Sequence, residues 1–230
     1  MTVSVIIPAY NEEQHIVPCL RALADQEVPA DEVLVVDNNC VDRTAERARE
    51  TGATVVREEM QGIAHARDRG FDAAKGKILA RIDADTIVPP GWVRYIRSVF
   101  ESGEIDGLTG PTIFHDIVFS RMWSRAHQLV YFDAFRLICG HETLFGSNMA
   151  ITREIWRAVR DSVCSNDRKL HEDMDLGFHI WEKGGIIRFD SRMRASISAR
   201  RIRKPFSLAL EYPYRFARTV RRHWGGVARA

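Results

Sequence analysis

The sequence predicts an α/β protein with a mostly parallel central sheet flanked by helices, and three observations carry that expectation. Short β-branched runs alternate with helix-like stretches from residue 3 to residue 82, the pattern of strands joined by crossover helices. Each strand-like run stops at a polar or acidic group: Pro8-Ala9-Tyr10-Asn11-Glu12, Asp37-Asn38-Asn39 and Asp83-Ala84-Asp85. Finally, 230 residues, 45% hydrophobic and 28% charged, suffice for a sizeable core and exclude a disordered chain or a disulfide-stapled miniprotein.

Taken in order, residues 3–7 read as a strand closed by Pro8, and residues 13–24 set Ile16, Leu20 and Leu23 at helical spacing. Residues 32–36 form a second apolar run, and 42–51 a charged, Ala-rich helix closed by Gly52. A third strand over 53–56, a helix over 64–75 ending at Gly76, and a fourth strand over 77–82 follow. The second half is less regular. Residues 116–138 suit one long helix carrying Phe119, Trp123, Tyr131, Phe132 and Phe135; residues 144–151 suit a strand. A helix is expected over 173–183, closed by Gly184-Gly185, then short strands over 186–189 and 193–198. Residues 205–223 read as a basic, aromatic helical region interrupted by Pro213. One domain over 1–204 is expected, with 205–230 a basic C-terminal helical segment belonging to it or touching a membrane.

The formal net charge of +2 hides an asymmetry: residues 188–230 carry 12 Lys/Arg and two acids, a net +10, which leaves −8 on the remainder. Such a tail, with Phe206, Tyr212, Tyr214, Phe216 and Trp224 among its arginines, suits an anionic membrane surface or a solvated helix covering the acidic body. Nucleic acid is not expected, because no recognition motif accompanies the charge. No run approaches the ~18 apolar residues of a membrane span, and no secretory leader is visible. The four cysteines, Cys19, Cys40, Cys139 and Cys164, lie far apart without a Cys-x-x-Cys pair. They read as reduced cytosolic thiols, so a cytoplasmic location is expected, peripheral on the inner membrane face if the tail binds lipid.

In parallel sheets ligands sit beyond the carboxyl ends of the strands, where this chain gathers its polar residues. Asp83 and Asp85 share a face if the strand continues, and two such oxygens suit a hard cation; the same pair also suits a turn. Asp37 can accept from a nucleobase or ribose, or simply close an Asx-turn, and Asn11 has the same alternative. Arg67, on a helix soon after Gly62, can bind a diphosphate or sit in a surface ion pair. Glu172 and Asp173 can form an acid–base pair, or favour the helix N-terminus they open. His171 suits a metal ligand or an exposed side chain. Phe119 and Trp123 fit a core or a substrate platform.

Together these motifs resemble the family 2 glycosyltransferases, inverting enzymes of the GT-A fold. Val5-Ile6-Ile7-Pro8-Ala9-Tyr10-Asn11-Glu12-Glu13 is similar to the family's first strand and nucleotide loop. The segment 35–44 resembles its second strand end, 61–70 its Gly-rich segment, and Ile82-Asp83-Ala84-Asp85 its DxD motif. Gly146-Ser147-Asn148 and Glu172-Asp173 resemble its acceptor-side motifs. The resemblance implies a nucleotide-diphospho-sugar donor, UDP favoured and GDP admitted, a hydroxyl acceptor, with lipid-linked and cell-envelope glycans as candidates, and Mg²⁺ or Mn²⁺. It implies that Pro8, Ala9, Tyr10 and Glu12 line the base and ribose pocket and that Asp37 holds the base. Arg67 would approach base or diphosphate, Asp83 the ribose and metal, and Asp85 the metal directly. Asp173 would be the catalytic base, supported by Glu172. No Gln-x-x-Arg-Trp motif follows Asp173, unlike processive synthases, and residues 188–204 lack the histidine with which many GT-A enzymes bind their metal. A non-catalytic nucleotide-sugar binder of the same fold is the alternative. A dinucleotide oxidoreductase is set aside, since the first strand does not run into Gly-x-Gly-x-x-Gly.

Overall fold

Val3–Ala9, a run without a single charge, becomes the fully buried strand β1. In the computed structural model, which describes residues 1–164, 170–201 and 211–227, it lies between Glu32–Asp37 (β2) and Ile78–Arg81 (β4), parallel to both. Thr54–Arg57 (β3) extends the parallel set beyond β2. The sheet continues through Gly107–Thr109 (β5), Met149–Thr152 (β7) and Ile187–Phe189 (β8), in the order β3-β2-β1-β4-β7-β5-β8. Strand β7 runs antiparallel to both neighbours. A small second sheet pairs Thr112–Phe114 (β6) with Ala195–Ile197 (β9).

Side-chain alternation divides the core. Val3, Val5 and Ile7 face Ile16–Ala24 (α1) and Trp92–Phe100 (α4), while Ile6, Leu34 and Val36 face Ile63–Ala73 (α3). Arg153–Val159 (α7) and Glu172–Glu182 (α8) pack on that second side, and Thr44–Glu50 (α2) lies beside α1. Both faces are therefore covered, which is why β1 and β4 carry no outward polar stripe. The expected fold class is thus the observed one.

Several expectations change in detail. Pro8 does not end β1: the β4 ladder stops at Ile6↔Arg81, while β2 remains paired as far as Ala9↔Asp37. The expected strand over 144–151 begins only at Met149; the preceding residues turn, because Gly146 lies so close to Arg81 that a Cβ would stand 2.7 Å from its guanidinium. The long helix exists as Ser120–Gln128 (α5), a wider π-turn at Leu129–Asp133 and Ala134–Cys139 (α6). Pro213 interrupts nothing, since it falls in the first turn of Tyr212–Val227 (α9), where no helical hydrogen bond is lost. Helices α4 and α7 and strands β5 and β6 were not foreseen. The expected boundary at 204/205 and Phe206 lie outside the described residues. All four cysteines are free thiols. Among the described residues, no helix is long and apolar enough to cross a membrane.

Candidate active site

The ends of β1, β2 and β4 surround a cleft of about 330 Å³ lined by Pro8, Ala9, Tyr10, Glu12, Asn38 and Asp83, with the α3 N-terminus opposite. Its mouth is held by side chains of the neighbouring loops. Asn11, at φ 55°, accepts the Val41 N–H at 2.9 Å. Asn38 donates to the Met60 carbonyl at 2.7 Å and accepts from the Gly62 N–H at 2.8 Å, fastening the end of β2 to the loop before α3.

At Asp37 the structure shows the turn contact that the sequence left open beside nucleotide binding. The residue is buried, and its Oδ1 accepts the Cys40 N–H at 2.9 Å: the carboxylate closes the turn, and its neighbour Asn38 lines the cleft. Arg67 lies away from the cleft lining. It is fully buried and donates to Asp68 Oδ1 and, at 2.7 Å, to Glu172 Oε2 and the Glu172 carbonyl. The arginines that do line the cleft are Arg200 and Arg215, both in the basic C-terminal stretch.

Beyond β4, Asp83 and Asp85 are both buried. Ser147 Oγ donates to Asp83 Oδ2 at 2.5 Å, and Arg81 Nη2 lies 3.5 Å from Asp83 Oδ1. The Arg200 guanidinium bridges Asp85, at 3.0 Å, and Glu12. This carboxylate group therefore already receives a positive charge, and its all-oxygen donor set fits a hard divalent cation completed by phosphate oxygens and water. Asp85 and Asp83 are the residues that would hold it.

Glu172 opens α8 in a buried chain of charges: Arg67 on one side, Arg81 at 2.5 Å on the other. Burial alone would raise its carboxyl; the two guanidiniums outweigh that and hold it below the usual range. Asp173 next to it behaves oppositely. Burial first, then the negative charge of Glu172, push its carboxyl above the ordinary aspartate value, against the pull of His171 and the Gly146 N–H. That N–H donates to Asp173 Oδ2 at 3.0 Å. The Gly146-Ser147 turn thus ties Asp173 to Asp83. Asn148 does something else. Fully buried, it accepts from Trp92 Nε1 at 2.9 Å and donates to the Met193 carbonyl at 2.7 Å, so it supports the turn from beneath. His171 is not exposed: its N–H donates to Thr219 Oγ1 at 3.0 Å and its Nε2 lies 3.2 Å from the Tyr212 carbonyl, joining α8 to α9.

On the far side of Asp83 lies a second cavity of about 500 Å³, walled by rings and aliphatic groups of β6, α5, the π-turn, α8 and α9, among them Phe114, Trp123, Val130, Tyr131, Met174 and Phe216. Asp83 lines both spaces and Asp85 this one. Desolvation in this wall pushes the His127 imidazole down to about 4, so it stays neutral at ordinary pH. Trp123 therefore belongs to a cavity rim, whereas Phe119 is exposed. Arg81 and the arginines of the cleft were missed in the sequence. Arg81 left one signal, a charge inside the otherwise apolar run of β4.

The glycosyl transferase family 2 model matches residues 4–159. The chain is similar to glycosyltransferase AglE of Haloferax volcanii, 37% identical over 120 residues, 49% of this chain and 40% of that protein. It is also similar to the dolichol-phosphate mannosyltransferase of Pyrococcus furiosus, 31% identical over 109 residues, 45% of this chain and 31% of that one. The chain thus spans less than half the length of these relatives. Among solved structures, the mannosyltransferase PcManGT of Pyrobaculum calidifontis, in complex with GDP-Man and Mn²⁺, superimposes with a TM-score of 0.73 at 20% identity, over 95% of this chain and 64% of that one. With the family model covering more than half its length and the fold matching in three dimensions, the chain belongs to glycosyl transferase family 2 and has the GT-A fold.

Proposed function

We propose that this chain is an inverting hexosyltransferase that moves a sugar from a nucleotide diphosphate, UDP favoured and GDP admitted, to a hydroxyl on an acceptor with an apolar carrier. One observation carries the reading. A single turn, Gly146-Ser147, hydrogen-bonds the carboxylate with the raised pKa, Asp173, and the strand-end carboxylate that borders both cavities, Asp83. The base and the donor end are thereby held together, with a polar cleft on one side and an apolar cavity on the other.

In this reading the nucleoside lies against Pro8, Ala9 and Tyr10, and Arg200 and Arg215 face the diphosphate in place of Arg67. Asp173 takes the proton of the acceptor hydroxyl as its oxygen attacks the anomeric carbon opposite the leaving diphosphate, which inverts the configuration. Glu172 keeps its charge and, through Arg81, fixes the start of α8. Asp85 and Asp83 would hold Mg²⁺ or Mn²⁺, which when bound would supply electrostatic stabilisation of the leaving charge. The acceptor class draws support from the apolar cavity and from the adjacent helix α5–α6, whose Phe119, Met122, Leu129, Val130 and Leu137 are exposed. Exposed apolar surface of this extent marks a contact with protein or membrane. Within the C-terminal segment, Tyr212 and Phe216 turn inward to the cavity while Tyr214 is exposed, so the apolar membrane contact is assigned to α5–α6 and the arginines of α9 supply charge. The site then works at the inner face of a membrane.

The test is a transfer assay with UDP- and GDP-hexoses and Mn²⁺, offering alkyl glycosides and free sugars as acceptors. Product of inverted anomeric configuration, formed faster with alkyl acceptors, is expected. Donor binding without transfer to any acceptor would favour a non-catalytic binder, and a retained anomer would overturn the mechanism.

A further inference from the structure

A second cluster lies away from the cleft, where α8 meets α9. Asp175, His179 and Glu182 occupy positions i, i+4 and i+7 of α8 and so share one face; His223 approaches them from α9. The hydrogen bonds fix the chemistry. Both oxygens of Glu182 are used, one by His223 Nδ1 at 2.7 Å and the other by His179 Nδ1 at 2.8 Å. A carboxylate only accepts, so both Nδ1 atoms carry the proton, and each ring, when neutral, offers a lone pair at Nε2. Both Nε2 atoms lie near one carboxylate. His223 Nε2 is 3.0 Å from Asp175 Oδ1, and His179 Nε2 is 3.8 Å from Asp175 Oδ2.

Acceptors facing an acceptor repel unless something positive stands between them. A proton on His223 accounts for the 3.0 Å contact, and its flanking carboxylates do favour its charged form over the cost of burial. That proton does nothing for His179, whose Nε2 is buried and has no hydrogen-bond partner among the described residues. The other groups on Asp175 are the Cys164 N–H, at 2.7 Å from Oδ2, and Arg222 Nε, at 3.6 Å from Oδ1. Neither reaches the His179 nitrogen. The ligand atoms of Asp175, His179 and His223 all lie within 4.8 Å of one another. Bonds of about 2.0–2.1 Å to a tetrahedral zinc separate its donors by roughly 3.3 Å, so the cluster needs a contraction of about 1.5 Å at most. A carboxylate that orients the distal nitrogen of each histidine is the usual partner of zinc-bound imidazole.

We propose that Asp175, His179 and His223 form a binding site for a borderline divalent cation, Zn²⁺ foremost, with Glu182 orienting both imidazoles and a water in the fourth position. The site is chemically separate from Asp83 and Asp85: two nitrogens and one oxygen select zinc, whereas the all-oxygen set selects Mg²⁺ or Mn²⁺. Its position gives it a structural role. Helix α9 sends Tyr212 and Phe216 into the wall of the apolar cavity and Arg215 into the polar cleft, while His223 sits further along the same helix. A cation there fastens α9 to α8 and holds that wall in place. The proposal stands whether or not the chain transfers sugar.

The experiment uses the untagged full chain, stripped with a chelator, given Zn²⁺ at pH 8 and passed through a desalting column. One zinc per chain and a raised unfolding temperature are expected. His179→Gln and His223→Gln should each lose the retained zinc, and Glu182→Gln should weaken it by about 10–100-fold. Asp85→Ala should retain it. No retention by the wild type, or equal retention in both histidine variants, would overturn the site; loss in Asp85→Ala alone would move the ion to the strand end and overturn it equally. Cobalt substitution in the wild type needs no variant to fold: intense visible bands of a tetrahedral centre are expected, and the weak spectrum of six-coordinate cobalt would exclude the geometry.

Discussion

The charged state of Asp173 is costly in this fold, and that cost gives two separable expectations. Its carboxyl is raised by burial and by Glu172, so the protonated form is favoured by the fold. The stability that proton contributes is complete below the unfolded value and is lost as pH rises through the raised folded value. Asp173→Asn removes the cost of the charge. The variant should therefore unfold at a higher temperature than wild type at pH 8, with the gap shrinking toward pH 4, and should lose transfer by about 10²–10⁴-fold. In the wild type the acid limb of kcat/KM should lie above the ordinary aspartate range. A variant less stable at pH 8, measured by calorimetry, would show that the carboxylate is a structural anion. Glu172 has the opposite sign: its lowered value means stability present above the unfolded value and lost as pH falls through the folded one. Glu172→Ala takes a shared carboxylate from two buried arginines, leaving Asp68 to Arg67 and the more distant Asp83 to Arg81, and should cost about 3–5 kcal/mol, read as a lowered urea midpoint. At the strand end, Asp85→Ala should abolish the stimulation of transfer by Mn²⁺ while the fold is kept, because it removes a charged oxygen and leaves Arg200 its other partner, Glu12. Undiminished metal stimulation would move the cation elsewhere.

At the scale of elements, the Gly146-Ser147 turn decides whether Asp173 and Asp83 meet. A Cβ on Gly146 would stand within 2.9 Å of three guanidinium atoms of Arg81, and Arg81 is buried and paired with Glu172. Gly146→Ala should thus cost about 1–3 kcal/mol and lower kcat more than it raises the donor KM, since the donor cleft is built by other loops. Unchanged kcat would separate the turn from the chemistry. The same turn shows where sequence reading stops. The apolar, β-branched runs of β1, β2 and β4 declare themselves through local composition, and their polar ends point to one edge of the sheet. The residues that connect that edge to α8 do not. Arg67 and Arg81 are 14 positions apart in the sequence and far from Glu172, yet they pair with the same carboxylate, a relation that only the crossing of α3, β4 and α8 creates. Asp37 and Asn38 are adjacent and similar in size, and only the turn geometry decides which lines the cleft. Residues 144–148 have strand-like composition, and a close approach to a buried arginine overrides it.

At the scale of the whole molecule, exposed apolar side chains gather on α5–α6 among the described residues. The tail's net +10 was legible as composition, but its aromatic residues belong partly to the interior: Tyr212 lines the cavity and Phe216 packs beside Tyr131, Phe135 and Phe178. The apolar contact proposed above is instead the outer side of α5–α6, where Leu129 is 63% and Leu137 87% exposed. Exposed Leu and Val beside cationic residues bind at a lipid interface through burial of apolar area together with attraction to anionic headgroups, and each Lys/Arg near the surface adds about 1 kcal/mol. The two contributions respond differently to salt, because charge is screened over about 8–10 Å at physiological ionic strength and apolar burial is not. Two groups of variants separate them. Leu129→Ser with Leu137→Ser should reduce co-sedimentation with anionic vesicles at low and at high salt alike. Arg218→Gln with Arg221→Gln should reduce it at low salt and change little at high salt. Both sets lie outside the carboxylate cluster, so donor binding, followed by protection against thermal unfolding, should stay as in wild type. Vesicle binding that survives the serine set and vanishes with the glutamine set would return the contact to the C-terminal helix. Absence of binding to anionic vesicles at low salt would leave the apolar face to a protein partner and the cavity to an acceptor delivered from solution.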